Sequence, residues 1–326
     1  MKELSYRDAL NEAFIEEMEK DEKIFIIGED VGIYGGLFQV TKGLFHKFGP
    51  DRVMDTPICE ETIIGTAVGA ALMGFHPVAE ISYIDFILLA MDQICNQAAK
   101  IIQVTPQRMP LVIRTQAGVG GGVGCHHSQS IEALFCHFPG LQVIMPSSPG
   151  DAKGLLKSAI RAGVPVVFIE NKKLYDIRGP VPEGEYSVPI GKGEVKREGK
   201  DITVIAFSYM VYECIKAAEE LEKEGISVEV VDPRTLVPLD FDILLKSVNK
   251  TKRALVVHEA VERAGFGAEI ATQLNEKVFH VLKGPVSRLC GMNVAIPAIK
   301  SLEKVVVPNA DSIKQKIKNI FNSVNN

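Results

Sequence analysis

The order of its hydrophobic segments constrains this chain more than any other feature. Short apolar runs such as Lys23–Gly28 alternate with longer amphipathic stretches such as Ser5–Lys20 as far as Glu170. The short runs are typical of buried strands, and the longer stretches are typical of helices. Strands that alternate with helices pair in parallel through right-handed crossovers. The sequence therefore predicts an α/β fold, with an open, mostly parallel sheet and helices on both faces.

A break near the middle of the chain divides the predicted fold in two. The alternation stops between residues 171 and 200, a stretch rich in proline, glycine and charge, and then resumes. We therefore predict a first α/β domain over 1–180, a linker over 181–200 and a second, smaller α/β domain over 201–326.

Three helices are predicted in detail. The helix over Ser5–Lys20 begins with Ser5 as N-cap and Asp8 three residues later, a variant of the capping box. A second helix is predicted over Phe86–Ile102, and a terminal helix over Ser312–Val324.

Charge and hydrophobicity exclude several classes of partner. The chain has 36 Lys and Arg against 41 Asp and Glu, without a basic block, so nucleic acid is not an expected partner. Its longest apolar stretch, Ile63–Phe75, is too short to span a bilayer. The N-terminus has no apolar segment typical of a signal peptide. We expect a bacterial cytoplasmic protein, with the mitochondrial matrix as the second possibility.

The six cysteines give no sign of a metal site. No two of them have the C-x-x-C spacing, and no Cys, His or Asp partner lies at metal-binding spacing from the His126–His127 pair apart from Cys125. Scattered cysteines in a chain without a signal peptide are expected to be reduced thiols. We predict no metal ligand in this chain.

Three predicted strand ends carry polar residues, and ligands of open parallel sheets bind beyond such ends. Asp55–Glu61 places Glu60 at the start of a helix, where the helix dipole alone favours an acid. Gly118–Ser130 combines a glycine-rich loop with two histidines, which are either functional or structural. His258–Ala260 is either part of a contact surface or part of the interior.

The glycine-rich loop does not match the common phosphate-binding motifs. The third glycine of G-x-G-x-x-G is replaced by Val123 or Cys125, depending on the register, and no G-K-[ST] follows. Its glycines therefore indicate close backbone approach or flexibility rather than a nucleotide site.

Several short motifs occur in order along the chain. They include I-G-E-D-V at Ile27–Val31, D-T-P-I-C-E at Asp55–Glu60, H-S-Q-S at His127–Ser130, D-A-K-G-L-L at Asp151–Leu156 and V-D-P-R-T-L-V-P-L-D at Val231–Asp240. In these motifs the chain resembles the beta subunits of the thiamine-diphosphate-dependent decarboxylating component of 2-oxo acid dehydrogenase complexes. The resemblance runs essentially end to end. It implies a pyrimidine-binding, transketolase-like domain followed by a transketolase C-terminal-like domain.

The resemblance also implies roles for particular residues. Glu60 matches the glutamate that hydrogen-bonds the aminopyrimidine ring nitrogen of the cofactor, and Ile58 and Phe86 match residues that contact the ring. Leu89 aligns where some members carry Gln, so one polar contact to the ring is replaced by an apolar one. His127 matches the histidine that transfers a proton or stabilises charge during acylation of the lipoyl group, whereas His126 lies at a variable position.

The family divides its cofactor between two chains. An alpha subunit binds the diphosphate and Mg²⁺ through a G-D-G signature, which this chain lacks. The resemblance therefore implies an alpha2-beta2 heterotetramer that docks on a lipoyl-bearing acyltransferase core. Some members bind K⁺, but here Ala162 and Val164 replace the Asp and Asn near that ion. The expected substrate is pyruvate, with acetoin and branched-chain 2-oxo acids as alternatives.

Two other functions stay open at this point. The chain fits a split transketolase or deoxyxylulose-phosphate-synthase-like enzyme less well, because those proteins are about twice as long and match the motifs less closely. A non-catalytic assembly module has no chemical need for Glu60, Phe86 and His127.

Overall fold

The computed structural model describes residues 1–105 and 107–323, and this part of the chain forms two compact units. Unit 1 consists of Met1–Ala117, Leu134–Ile190 and Leu236–Pro238. Unit 2 consists of Gly118–Ala133, Gly191–Thr235 and the residues from Leu239 onward.

Unit 1 is built on a seven-stranded sheet with the order β12-β6-β7-β5-β4-β2-β3, in which the strands from β6 to β3 pair in parallel. Its strands are β2 (Ile24–Gly28), β3 (Val53–Asp55), β4 (His76–Ile81), β5 (Val112–Ala117), β6 (Gln142–Ile144), β7 (Val166–Asn171) and β12 (Thr235–Val237). Two further strands, β1 (Lys2–Ser5) and β8 (Arg178–Val181), form an antiparallel pair. The helices are α1 (Tyr6–Lys20), α2 (Leu44–Phe48), α3 (Glu60–Leu72), α4 (Ala99–Val104), α5 (Glu132–Cys136) and α6 (Pro149–Arg161).

Unit 2 is built on a five-stranded sheet with the order β14-β13-β10-β11-β9, in which only β9 is antiparallel to its neighbour. The strands are β9 (Glu194–Arg197), β10 (Ile202–Ala206), β11 (Val228–Asp232), β13 (Ala254–Val261) and β14 (Ser287–Gly291). The helices are α7 (Met210–Glu222), α8 (Phe241–Thr251), α9 (Gly267–Val278), α10 (Lys300–Val306) and α11 (Ala310–Ser323).

The central strands explain why the sequence pattern is so clear. Every residue of β2, β5 and β7 is buried, as expected for parallel strands covered on both faces. The predicted cap of α1 is also confirmed, because the Ser5 hydroxyl accepts the Asp8 backbone N–H at 3.1 Å. Among the described residues, no helix is long and apolar enough to cross a membrane.

The predicted helix Phe86–Ile102 is not a single α-helix. The chain forms a 3₁₀ turn over Phe86–Ala90, a π-helix over Asp92–Ala98 and then α4. The first two pieces are only five and seven residues long, so the apolar pattern in each is too short to show which helical period it follows.

Two short elements, of four and seven residues, are absent from the prediction. The stretch predicted as linker, 181–200, contains β9, whose four residues are only half-buried at the edge of the sheet. The short helix α10 is likewise not predicted. The predicted terminal helix corresponds to α11, and Val324 lies outside the described residues.

A buried ion network crosses the sheet of unit 1. The guanidinium of Arg114 on β5 donates to Glu80 on β4 and, through two nitrogens, to Glu170 on β7, one of these bonds being 2.8 Å long. Gln116 donates to Glu80 at 3.2 Å, and the Tyr175 hydroxyl donates to Glu170 at 2.6 Å. Burial by itself lowers the pKa of Arg114, but the carboxylates of Glu170 and Glu80 raise it well above its usual range. The network is therefore charged and largely satisfied.

Replacement of Arg114 tests how much unit 1 depends on this network. Arg114→Met leaves two carboxylates buried without their cation, so we expect unfolding to become easier by about 3–5 kcal/mol. Lys318→Met is the control, because Lys318 and Glu224 form a partly exposed pair that contributes about 0–1 kcal/mol. Urea unfolding measures both variants. An Arg114→Met protein as stable as the control contradicts the expectation.

Candidate active site

Three loops of unit 1 leave the same edge of the sheet. The parallel strands β2, β3 and β4 end at Gly28, Asp55 and Ile81, so the residues that follow them share the carboxyl edge. The backbone N–H of Thr56 donates to the carbonyl of Gly28 at 3.0 Å, which joins two of these loops. This edge is where open parallel sheets bind ligands.

Glu60 lies at this edge as the first residue of α3. Its side chain is only 6% exposed, whereas the neighbouring Glu61 is exposed. The N-cap, Cys59, makes no side-chain capping bond to α3. The positive end of the helix dipole therefore lies next to a buried carboxyl group, that of Glu60. Glu61 carries the same functional group, but its side chain is in contact with solvent.

A second carboxyl group, Glu29, lies beside Glu60. Burial raises the pKa of Glu29, and the negative charges of Glu60, Asp30 and Glu80 raise it further. Within the described part of the chain, its buried Oε1 atom has no hydrogen-bond partner. Sequence reasoning assigned no role to Glu29, although its position directly after a buried strand is a usable signal.

Apolar side chains project from the same loops. Ile58 follows β3 and is 78% exposed, and Leu89 in the turn after β4 is 64% exposed. Phe86, in the same turn, is half-buried. The loop after β2 adds exposed Ile33 and Tyr34. Exposed large apolar groups that cluster in this way mark a binding surface.

The structure therefore groups four of the five predicted site residues on one edge of unit 1, namely Ile58, Glu60, Phe86 and Leu89. The fifth, His127, belongs to unit 2, because residues 118–133 are assigned to that unit.

The loop that carries His127 follows the glycine-rich segment. His127 is half-buried, and its backbone N–H donates to the carbonyl of Gly124 at 3.3 Å. His126 is exposed, with its Nδ1 atom 3.6 Å from the sulfur of Cys125. The two histidines thus have different surroundings, and the less exposed one is the predicted functional residue.

A cavity of about 320 Å³ in unit 2 lies against this loop. Polar atoms reach its wall from His126, Ser128, Gln129 and Glu259, and apolar groups such as Val294 complete the lining. Ser128 is buried, and its hydroxyl has no hydrogen-bond partner among the described residues. The loop therefore presents polar residues to this cavity.

A carboxyl group that the sequence reasoning missed, Glu132, is buried behind the loop. Burial raises its pKa to about 7, and the charge of Glu259 adds to the effect. Neither carboxyl oxygen of Glu132 has a hydrogen-bond partner in the parts of the chain that the structure describes. An acid at the first residue of a helix, α5, gave no sequence signal beyond the usual dipole preference.

The residues at the strand end His258–Ala260 have different environments, some in the interior and some at the cavity. His258 is fully buried and stacks on Phe207 with ring centroids 6.0 Å apart. Burial lowers its pKa to about 4, so its ring is neutral at physiological pH. His258 is therefore an interior residue and not part of a contact surface, whereas Glu259 lines the cavity.

The side chains of the described residues give no indication of a metal site. Among the residues described, no group of three or more His, Cys, Asp or Glu side chains could hold a metal ion.

Two family models match the chain. The model described as "Transketolase, pyrimidine binding domain" matches residues 2–178, and the model described as "Transketolase, C-terminal domain" matches residues 191–313. These ranges account for most of the chain and agree with the predicted order of the two domains.

The chain is also similar to characterised proteins over nearly its whole length. It is 44% identical to the 2-oxoisovalerate dehydrogenase subunit beta of Bacillus subtilis, covering 98% of this chain and 99% of the relative. It is 43% identical to the pyruvate dehydrogenase E1 component subunit beta of Staphylococcus epidermidis, covering 98% of each. The chain belongs to the family of 2-oxo acid dehydrogenase E1 beta subunits. The resemblance noted in the sequence is thereby confirmed.

The chain is also similar to a further relative and to a solved structure. The chain is 41% identical to the acetoin:2,6-dichlorophenolindophenol oxidoreductase subunit beta of Cupriavidus necator, covering 96% of each. A solved structure described as a split gene transketolase, inactive beta4 tetramer, superimposes with a TM-score of 0.80 at 23% identity, covering 97% of each chain. That likeness shows the fold alone, and it confirms the predicted α/β class with two mostly parallel sheets.

The raised pKa of Glu132 predicts how the stability of this beta subunit changes with pH. Between pH 4.5 and 7 the folded protein keeps a proton that the unfolded chain releases, so stability falls as pH rises, by roughly 3 kcal/mol in all. Glu132→Gln removes this loss and becomes the more stable protein at pH 8.

Denaturant unfolding at several pH values measures this difference. Glu276→Gln, a change at an exposed position, is the control and should follow the wild type at every pH. Parallel stability curves for Glu132→Gln and the wild type contradict the raised pKa of the buried Glu132.

Proposed function

We propose that this chain is the beta half of a thiamine-diphosphate-dependent enzyme that decarboxylates a 2-oxo acid and transfers the acyl group to a lipoyl group. The observation that carries the proposal is the buried carboxyl of Glu60 beside the exposed apolar groups of Ile58 and Leu89. A surface of this kind is half of a site, because apolar groups exposed to this degree are expected to be covered by a ligand or partner.

The residues fit the aminopyrimidine end of the cofactor. A carboxyl group can hydrogen-bond a ring nitrogen, and Ile58, Phe86 and Leu89 offer apolar contact to the ring faces. Glu29 supports this fit, because its buried oxygen has no partner in the described residues and can take up a further polar contact. When bound, the cofactor supplies an electron sink for decarboxylation.

Glu60 holds and moves the proton on this ring nitrogen. Glu60 is buried at the N-terminus of α3 with a second carboxyl group, Glu29, beside it. A carboxyl group held in this way at a ring nitrogen can act there as a positioned proton donor or acceptor. Glu61, one residue later, is exposed and does not have the burial of Glu60.

His127 serves the second half of the reaction in this proposal. An imidazole can donate a proton to the lipoyl sulfur or stabilise charge during acyl transfer. Its partial burial limits the number of positions that the ring can adopt. His126, which is exposed, is left without a catalytic role.

The partner is an alpha subunit that binds the diphosphate end of the cofactor with Mg²⁺, in an alpha2-beta2 heterotetramer. The relatives' names support it, since each is described as a beta subunit. A lipoyl-bearing acyltransferase core is the second partner, as the acceptor of the acyl group. K⁺ is not part of the proposal, because Ala162 and Val164 offer no side-chain oxygen.

The proposed substrate is pyruvate, and 2-oxoisovalerate and acetoin are the alternatives that the relatives' names suggest. The alpha subunit contributes the other wall of the site and therefore part of the selectivity. The proposed location is the bacterial cytoplasm, since several similar relatives are bacterial, although mitochondrial relatives also occur.

The test is reconstitution with the alpha subunit from the same source. We expect no turnover by either chain alone, and turnover of one of the three substrates by the mixture with thiamine diphosphate and Mg²⁺. Glu60→Gln should lower kcat by about 10²–10⁴-fold, the range for loss of a positioned acid or base. Glu61→Gln is the matched control and should retain wild-type activity.

Each other outcome decides against part of the proposal. Equal activity of Glu60→Gln and Glu61→Gln excludes Glu60 as the catalytic acid and favours an assembly module. Transfer of two-carbon units between sugar phosphates, with no activity on 2-oxo acids, favours the split transketolase. A chain that does not associate with the alpha subunit contradicts the shared site.

A further inference from the structure

The glycine-rich segment Gly118–Gly124 cannot hold its own shape. Most of its residues are glycines with positive φ, and such backbone has many accessible alternatives. His126 and His127 follow this segment directly. A defined position for His127 therefore needs restraints from other parts of the chain.

Two distant carboxylates provide such restraints within unit 2. The backbone N–H of Val119 donates to Oε1 of Glu259 at the end of β13. The backbone N–H of Gly122 donates to Oε1 of Glu303 in α10 at 3.0 Å. Both glutamates are buried, and hydrogen bonds to a charged acceptor are stronger than neutral ones, especially away from water.

The surrounding contacts keep the segment close to its anchors. A Cβ atom at Gly122 would lie 3.2 Å from the carbonyl oxygen of Ala298, so glycine permits this approach as well as the positive φ. Val119 packs in an apolar cluster with Val306 and Val307. The loop is thus fixed by α10 and the residues beside it.

We propose that Glu259 and Glu303 are positioning residues that hold the His127 loop for acyl transfer to the lipoyl group. The proposal rests on the function proposed above for His127. Neither carboxylate touches the reacting atoms in this account, because each acts through a backbone N–H of the glycine-rich segment. Their loss should therefore impair the half-reaction that uses His127 and spare the one that uses Glu60.

Hydrogen exchange of the intact chain tests the clamp without any assay of activity. Glu303→Ala should speed amide exchange across residues 118–130 by about tenfold or more, because the loop opens locally. Glu303→Gln keeps an oxygen acceptor and should restore much of the protection. Lys304→Ala, at an exposed neighbouring position of α10, is the control and should exchange like the wild type.

Kinetics of the reconstituted complex provide the second readout. Glu303→Ala should lower the rate of lipoyl acylation by roughly tenfold to a hundredfold, as expected for a displaced catalytic group. Decarboxylation with an artificial electron acceptor should stay within about twofold of the wild type. Glu259→Gln should show the same selective loss in milder form.

The two readouts separate this proposal from the function on which it rests. Unchanged exchange over residues 118–130 in Glu303→Ala overturns the clamp, whatever the enzyme does. Faster exchange with a parallel loss of both half-reactions overturns the selective role and leaves a general structural one. Faster exchange in a complex that never acylates lipoyl groups supports the anchoring of the loop but overturns its role in acyl transfer, together with the proposed function of His127.

Discussion

The buried guanidinium of Arg114 is the interaction on which unit 1 depends most. It connects Glu80 and Glu170 on the two strands that flank β5. Removal of either kind of charge leaves the other buried without compensation, so the strands are constrained to one arrangement. β2 pairs with β4, and β3 pairs with β2, so the positions of the loops that carry Glu29 and Glu60 depend on that arrangement. The ion network therefore helps to fix the positions of the loops at the carboxyl edge of the sheet.

The distribution of acids shows how one chemical group takes different roles in this chain. Glu80 and Glu170 are paired with a cation, Glu259 accepts a backbone N–H, and Glu132 has no hydrogen bond among the described residues, so burial raises its pKa to about 7. Glu60 differs from all of these, because it is buried at a helix start on a surface with exposed apolar groups. That combination suits a site that a partner and a cofactor complete.

Much of the fold could be predicted because buried parallel strands such as β2 and β7 are continuous apolar runs between amphipathic helices. The elements that were missed, such as β9 and α10, are short and form through pairing or packing with distant residues. The change of helix type over Phe86–Val104 was not predicted because its 3₁₀ and π pieces are only five and seven residues long, too short for an apolar pattern to show their periods.

The candidate site also contains both residues that lie in one short motif and residues that are far apart in the sequence. Glu60 and Ile58 lie in one short motif after a strand, and the family resemblance of that motif implies their roles. Glu259 and Glu303 lie about 140 and 180 residues from their backbone partners. No local pattern connects such residues, and only the folded structure assigns them a role.

The most direct test of the central claim is a crystal structure of this chain with its alpha subunit and thiamine diphosphate. The account predicts a carboxyl oxygen of Glu60 within hydrogen-bond distance of the aminopyrimidine ring nitrogen, about 2.6–3.0 Å. It also predicts that Ile58 and Phe86 contact the ring. A cofactor whose ring nitrogen contacts a different carboxyl group, or a complex in which Glu60 faces only protein, would contradict the account.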